Sequence, residues 1–259
     1  FLSFRMLSGS DTVGKHTRNF IVISNDGYSP STNCYNLHVD SFTSKNHFPM
    51  NLSSKAQEIY TQISAEGTKL GDLRQIAKEI KKDHELAMEL WSTGGFLPRQ
   101  IAILIMDKKH LNQDLIDQLD KDLQIHEFDE RNHLVDWLMA NQLTKDKKTI
   151  ALIESWEHSP SAIQRRIFWY YQARLRWTGK FPPGNPDDVL ASIETKLVQE
   201  VPEVQWAMNF TAAQIGIFDA ERRSRCIALG ENTGLYKDEI VPRGCTPNYL
   251  PEFIRIQVE

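Results

Sequence analysis

Apolar residues recur every three or four positions along most of the chain after residue 50, which is the period of an amphipathic helix. Segments with this pattern cover residues 56–63, 73–80, 86–90, 101–105, 111–123, 134–139, 163–171 and 189–197. Short polar, glycine-containing or proline-containing stretches separate them. Because no segment after residue 50 alternates like a strand, the sequence predicts an all-α fold.

Part of the pattern repeats. Trp91 followed by FLPRQIA resembles Trp156 followed by AIQRRIF, and Arg131 divides the interval from Arg99 to Arg165 into 32 and 34 residues. Helical pairs recurring at this spacing are typical of an α-solenoid, in which each pair buries its apolar face on the next and one face of the array is concave. A helical bundle without repeats is the alternative. Trp91 and Trp156 are expected to lie in the core.

Residues 1–49 differ from the rest, because they are rich in Ser, Thr and Asn and have little helical periodicity. We expect them to be a poorly ordered leader or a non-native extension. Met50 is followed by Ser53 and Ser54, which are good helix caps. The helical repeat domain is therefore predicted to cover residues 50–259.

Composition and charge exclude several classes of protein. The formal net charge of −4 means that any binding of nucleic acid must come from a local patch. Three dispersed cysteines do not suggest a disulfide framework, and no apolar stretch is long enough to span a membrane. The histidines lack metal-ligand spacing, so no metal or other cofactor is expected. These features predict a cytoplasmic protein that does not contact a membrane.

One acidic residue stands out in the segment EFDERNHLVDWL. Asn132 and Asp136 fall together on the flank of its apolar stripe, which would place Asp136 at the lip of a groove. The alternative is an ordinary ion pair on the flank of a helix. His133 lies one turn from Asp136 and is expected either to pair with it or to lie on the surface.

The next helix pattern, SPSAIQRRIFWYYQARLRW, is basic and aromatic. Positions 163, 167 and 171 form its apolar stripe, and a different face carries Arg165, Trp169, Gln172 and Arg176. Guanidinium groups that alternate with aromatic rings suit an anionic partner such as nucleic acid, because arginines neutralise phosphates. A solvated helix face without a partner remains the alternative.

These segments resemble the AlkD-like DNA alkylation repair enzymes, which are built from HEAT-like helical repeats. The resemblance covers roughly residues 55–259, and it is carried by NHLVDWL at 132–138, SWEHSPSAIQRRIF at 155–168 and EVQWAMNFTAAQIG at 203–216. It implies a concave face that binds duplex DNA with alkylated bases, and the protein is expected to be a monomer. It also implies hydrolysis of the N-glycosidic bond of cationic N3- or N7-alkylated purines. A repeat scaffold that binds DNA or another partner without catalysis is the alternative.

The resemblance also assigns roles to single residues. The catalytic aspartate of the family falls on Asp136, and its DNA-contacting arginine falls on the Arg165–Arg166 pair, with Arg166 the better match. Asn132 and Phe210 stand where the family has tryptophans that contact the lesion and its backbone. Trp206 either lies in the core or replaces these aromatic rings.

The implied chemistry suits a single carboxylate. A cationic purine is already a good leaving group, so the enzyme needs mainly to stabilise the positive charge that develops on the sugar. A carboxylate such as that of Asp136 can do this and can also position the attacking water.

Overall fold

The protein was analysed as a computed structural model, which describes residues 52–64, 67–179 and 185–259. These residues form twelve α-helices and no strand, as the periodicity predicts. The predicted leader lies outside them. The helices are α1 (Ser54–Ile63), α2 (Leu70–Ile80), α3 (His84–Ser92), α4 (Phe96–Ile105), α5 (Gln113–Leu123), α6 (Phe128–Asn141), α7 (Lys147–Glu154), α8 (Ala162–Trp177), α9 (Pro186–Lys196), α10 (Pro202–Phe218), α11 (Arg223–Thr233) and α12 (Leu250–Val258).

Local signals in the sequence set many helix ends. The side chains of Ser53, Asn112 and Ser161 accept hydrogen bonds from backbone N–H groups in the first turns of α1, α5 and α8. These bonds satisfy amide groups that have no partner within the helix. Gly94, with φ of 73°, follows the end of α3, where a residue with a side chain would be strained.

The even-numbered helices form one continuous layer. Each of α2, α4, α6, α8 and α10 packs against the next even-numbered helix, and α10 in turn packs against α12. The helices α3, α7, α9 and α11 lie beside the even-numbered helix that follows each of them. Such stacking of successive helical pairs is an α-solenoid, so the repeat pattern in the sequence is confirmed.

Two buried tryptophans link α5 to the segments on either side of it. Trp91 and Trp156 are buried, as their repeat positions predict, and their indole N–H groups donate to Asp122 and Gln113 of α5 at 2.8 and 3.0 Å. A buried indole needs such a partner because its N–H has left water. These two bonds therefore fix α5 between the neighbouring repeats.

At the end of the array, α12 approaches its neighbours closely. A Cβ atom on Gly230 of α11 would lie 2.7 Å from Leu250 Cβ and 2.6 Å from Pro251 Cδ. Glycine at this position therefore allows α11 and α12 to pack. Within the described ranges, no helix is long and apolar enough to cross a membrane.

Candidate functional site

An ion pair joins α6 to α8 at the centre of the candidate site. Arg166 donates from Nη2 to Asp136 Oδ2 at 2.8 Å and from Nε to Asp136 Oδ1 at 3.1 Å. The Arg166 side chain is only 2% exposed and that of Asp136 is 13% exposed. Two parallel bonds of this kind fix the position and the plane of the carboxylate.

A third helix completes this arrangement. Arg166 Nη1 donates to the backbone oxygen of Glu203 at 2.9 Å, and its guanidinium carbon lies 4.6 Å from the centroid of the Trp206 ring. Both residues belong to α10. Because an aromatic face attracts a cation, Trp206 supports the guanidinium from the side while Asp136 holds its polar edge.

Aromatic rings surround the pair. Trp206 stacks on Phe210 with centroids 5.2 Å apart, and the edge of Tyr170 meets both rings. Loss of hydration raises the pKa of the Tyr170 hydroxyl, and the negative charge of Asp136 raises it further. Tyr170 therefore stays neutral beside the carboxylate and can act only as a neutral hydrogen-bonding group.

The connection between α11 and α12 covers one side of the site. Asn248 accepts a hydrogen bond from Trp206 Nε1 at 3.2 Å, and its backbone oxygen accepts from Asn209 Nδ2 at 2.7 Å. The Asn248 amide in turn donates to both carboxylate oxygens of Glu239 at 2.9 Å. Burial raises the pKa of Tyr236, in the same connection, to about 12. Trp206 is thus held from both sides.

The predicted arginine and tryptophan face of α8 is not an open surface. Trp169 is 1% exposed and Arg176 is 9% exposed, and Gln172 is also buried. Arg176 donates to the backbone oxygen of Gln172 at 2.7 Å, and burial lowers the pKa of its guanidinium to about 10. This prediction was wrong because α6, α7 and α10 all pack against α8 and leave little of its surface in water.

The other predicted contact residues have partners within the protein. Arg165 forms a two-point ion pair with Glu200 at 2.8 and 2.9 Å. Asn132 and Phe210, at 5% and 6% exposed, are buried. Phe210 contributes to the aromatic cluster beside Arg166, whereas no polar contact links Asn132 to Asp136 among the described residues. Trp206 is only partly buried and belongs to the site.

His133 takes neither of the expected positions. It is buried, and its Nε2 lies 2.7 Å from Nε2 of Gln100 on α4. Burial lowers the pKa of the imidazole to about 4, so the ring is neutral near pH 7. The side chain therefore belongs to the α4–α6 interface and not to the Asp136 site.

Sequence reasoning missed three side chains of this site, Tyr170, Glu239 and Asn248. Trp206, expected either in the core or in place of the family's aromatic rings, lies against Arg166. Tyr170 follows Arg166 by one helical turn, and this spacing could have placed it beside the pair. The sequence carries no local signal for Glu239 and Asn248, because they reach Trp206 through the fold of a long connection.

The fold and the site define an α-solenoid of HEAT-like repeats in which one carboxylate is held by an arginine between three inner helices. The family model of the DNA alkylation repair enzymes matches residues 45–234. The chain therefore belongs to the DNA alkylation repair enzyme family, as the resemblance of its motifs predicts.

A solved structure supports the same fold. It is described as a new family of proteins related to the HEAT-like repeat DNA glycosylases with affinity for branched DNA structures. The two chains share 19% identity and superpose with a TM-score of 0.58, over 80% of this chain and 88% of the other. No curated protein matches the sequence significantly. At this identity the comparison shows the fold alone.

Proposed function

We propose that the protein is a DNA N-glycosylase that removes cationic N3- or N7-alkylated purines from duplex DNA by hydrolysis. The observation that carries the proposal is the Asp136–Arg166 pair, in which two hydrogen bonds hold the carboxylate beside the aromatic rings of Tyr170 and Trp206. Membership of the DNA alkylation repair family supports this choice of substrate.

Asp136 would act on the sugar. As the bond to a cationic purine lengthens, positive charge moves from the base to the deoxyribose, and a fixed carboxylate stabilises that charge without reorganising. The same carboxylate can orient water for attack on the anomeric carbon.

Arg166 would be a positioning residue. It is too deeply buried to meet a phosphate directly, and it also contacts the Glu203 carbonyl and the Trp206 ring. Its positive charge lowers the electrostatic attraction of Asp136 for the sugar cation, but it fixes the direction in which the carboxylate points. Phosphate contacts must then come mainly from other cations.

The test measures release of 7-methylguanine or 3-methyladenine from an alkylated duplex by the full chain. Asp136→Asn should reduce release by about 10²–10⁴-fold, the usual contribution of a positioned acid or base. Asp129→Asn provides the matched control, because it makes the same chemical change at an exposed position of α6. Equal release by the wild type and Asp136→Asn would reject the assignment.

A second candidate function is binding of DNA without catalysis. The observation in its favour is that Asn132 and Phe210 stand where the resemblance places lesion-contacting tryptophans, and both are buried. The similar solved structure, related to the glycosylases, is described by its affinity for branched DNA. DNA binding without release of either base by the wild type would favour this function.

A further inference from the structure

Lysines cluster in three successive connections of the solenoid. The sequence KKDH at 81–84 joins α2 to α3, DKKH at 107–110 joins α4 to α5, and KDKK at 145–148 joins α6 to α7. Each connection follows the end of an even-numbered helix. The same composition therefore recurs at the same place in three consecutive repeats.

Direct contacts show that these connections are neighbours. Lys82 Nζ lies 3.7 Å from Asp107 Oδ1, and Lys108 Nζ lies 3.4 Å from Asp146 Oδ2. The rings of His84 and His110 stack with centroids 4.2 Å apart. The three connections thus form one continuous strip, called here the lysine edge (residues 81–84, 107–110 and 145–148).

The lysine edge concentrates positive charge in an acidic chain. Its seven lysines and three aspartates leave an excess of four positive charges, whereas the whole chain carries −4. Asp83 and Asp146 accept backbone hydrogen bonds at the start of α3 and α7, and Asp107 accepts one from Lys109 within its own connection. In the part of the chain that the structure describes, the ammonium groups of Lys109 and Lys147 form no salt bridge, and neither does that of Lys148.

The arginines elsewhere differ in this respect. Arg165 pairs with Glu200, Arg222 pairs with Asp187 and Asp219, and Arg225 pairs with Glu194 and Asp187. These carboxylates neutralise the charges of the three arginines. By contrast, the lysine edge brings together on one surface three lysines that form no salt bridge with any described residue, Lys109, Lys147 and Lys148.

Two of the lysines occupy a position that is unfavourable in the isolated protein. Lys147 and Lys148 begin α7, whose first turn contains no acidic residue. Cations at a helix N-terminus are unfavourable because they face the positive end of the helix dipole. A local electrostatic cost of this kind is expected where the charges serve an external anion.

We propose that the lysine edge binds the phosphate backbone of duplex DNA, as a contact surface additional to the Asp136 site. Packed helices lie about 8–10 Å apart, so three successive connections span about 20 Å. One DNA strand has a phosphate about every 3.4 Å along the axis, so the edge is as long as about six base-pair steps, and the lysines contact the phosphates on the facing side. The inference rests on the proposed function only in taking DNA as the polyanion.

The geometry also connects this surface to the site. α6 carries Asp136 and ends at Asn141, just before the KDKK connection. At a rise of about 1.5 Å per residue, the carboxylate lies only about 8 Å along the helix axis from that end. The width of a DNA duplex is similar to the length of the edge. A duplex that contacts the lysines is therefore wide enough to reach Asp136.

The composition of the edge favours DNA over a protein partner. None of the large exposed apolar side chains of the described residues lies on it. Stable protein interfaces usually contain a buried core of aromatic or aliphatic residues, whereas backbone contacts to DNA are made chiefly by cations.

The experiment measures the affinity of the full chain for an undamaged 20-base-pair duplex between about 50 and 200 mM salt. Lys109→Gln/Lys147→Gln/Lys148→Gln should weaken binding and reduce the magnitude of the log–log salt slope by about 2 to 3, at about 0.9 per lost phosphate contact. Lys69→Gln/Lys121→Gln/Arg255→Gln is the matched control. It removes the same charge at exposed positions away from the edge and should keep the wild-type slope.

Two results would overturn the proposal. One is an unchanged slope in the lysine-edge variant. The other is displacement of the duplex by poly-glutamate of equal charge as effectively as by unlabelled duplex, which would indicate an acidic protein partner. The duplex is undamaged, so neither result depends on whether Asp136 catalyses base release.

Discussion

At the scale of single residues, the Asp136–Arg166 pair is both a candidate catalytic element and a structural contact. Arg166 is almost completely buried and has carboxylate, carbonyl and aromatic partners. A protein in which a buried charge has lost its counter-ion is much less stable than one in which both partners are replaced by apolar residues of similar volume. Effects of substitutions on activity must therefore be separated from effects on folding.

We therefore expect the effects of substituting Asp136 and Arg166 on the free energy of unfolding to be strongly coupled. Asp136→Leu should lower the free energy of unfolding by about 3–5 kcal/mol, because it leaves Arg166 without its counter-ion. Asp136→Leu/Arg166→Met should recover most of this loss. Urea denaturation of the two single variants and the double variant measures the coupling. Additive losses in the double variant would contradict the prediction.

A second residue, His133, predicts a pH dependence of stability. Its pKa is lowered by burial to about 4, whereas an unfolded histidine titrates near 6.5. Between these values the unfolded state binds the proton and the folded state does not. The free energy of unfolding should therefore fall as the pH is lowered from about 6.5 to about 4, with His133 contributing about 1.4 kcal/mol per pH unit.

His133→Gln should reduce the slope of the free energy of unfolding against pH by about 1.4 kcal/mol per pH unit, which is the contribution of one proton. This holds even if the variant is less stable at pH 7. Denaturation at a series of pH values measures this slope. His158→Gln at an exposed position corrects for the loss of one histidine from the chain. A wild-type slope in His133→Gln would show that the imidazole does not oppose protonation in the folded state.

At the scale of elements, the sequence predicted the buried face of α8 correctly but not the environment of its other faces. The apolar stripe at 163, 167 and 171 is buried as predicted. Periodicity alone could not show that α6, α7 and α10 would cover most of the rest of the helix. Polar side chains such as Gln172 and Arg176 therefore look like surface residues in the sequence, although tertiary packing buries them.

Helix packing at the end of the array gives a further prediction. Gly230→Ala should lower the free energy of unfolding by about 1–3 kcal/mol, because its Cβ would overlap the chain at Leu250 and Pro251. Gly71→Ala is the matched control. It has no atom within 4 Å of the added Cβ and should gain up to about 1 kcal/mol from its better helix propensity. Equal changes in the two variants would contradict the close packing of α11 and α12.

At the scale of the whole molecule, the periodicity of apolar residues predicted eight of the twelve helices in order, α1–α6, α8 and α9, because each buries one apolar face on its neighbours. It did not mark α7, α10, α11 or α12. The position of Asp136 followed from a family motif. The partner of Asp136 did not, because the Asp136–Arg166 contact depends on how α6 and α8 pack. The lysine edge was also missed, because its three short motifs are separated in sequence and come together only when the even-numbered helices stack.

In the proposed function, the inner helices hold Asp136 beside an arginine and aromatic rings, and the proposed role of the lysine edge is to bring DNA to them. The account separates the binding of DNA from the chemical step. Lysine substitutions should act on affinity and on its salt dependence, whereas the substitution of Asp136 by Asn should act on the rate of bond cleavage by bound protein.

The most direct test is the single-turnover rate of 7-methylguanine release at saturating protein, measured together with the dissociation constant for the same duplex. For Asp136→Asn with a wild-type circular dichroism spectrum, the account predicts a rate lower by about 10²–10⁴-fold and a dissociation constant within a few-fold of wild type. An unchanged rate constant in this folded, DNA-bound variant would contradict the central claim that Asp136 carries the chemistry.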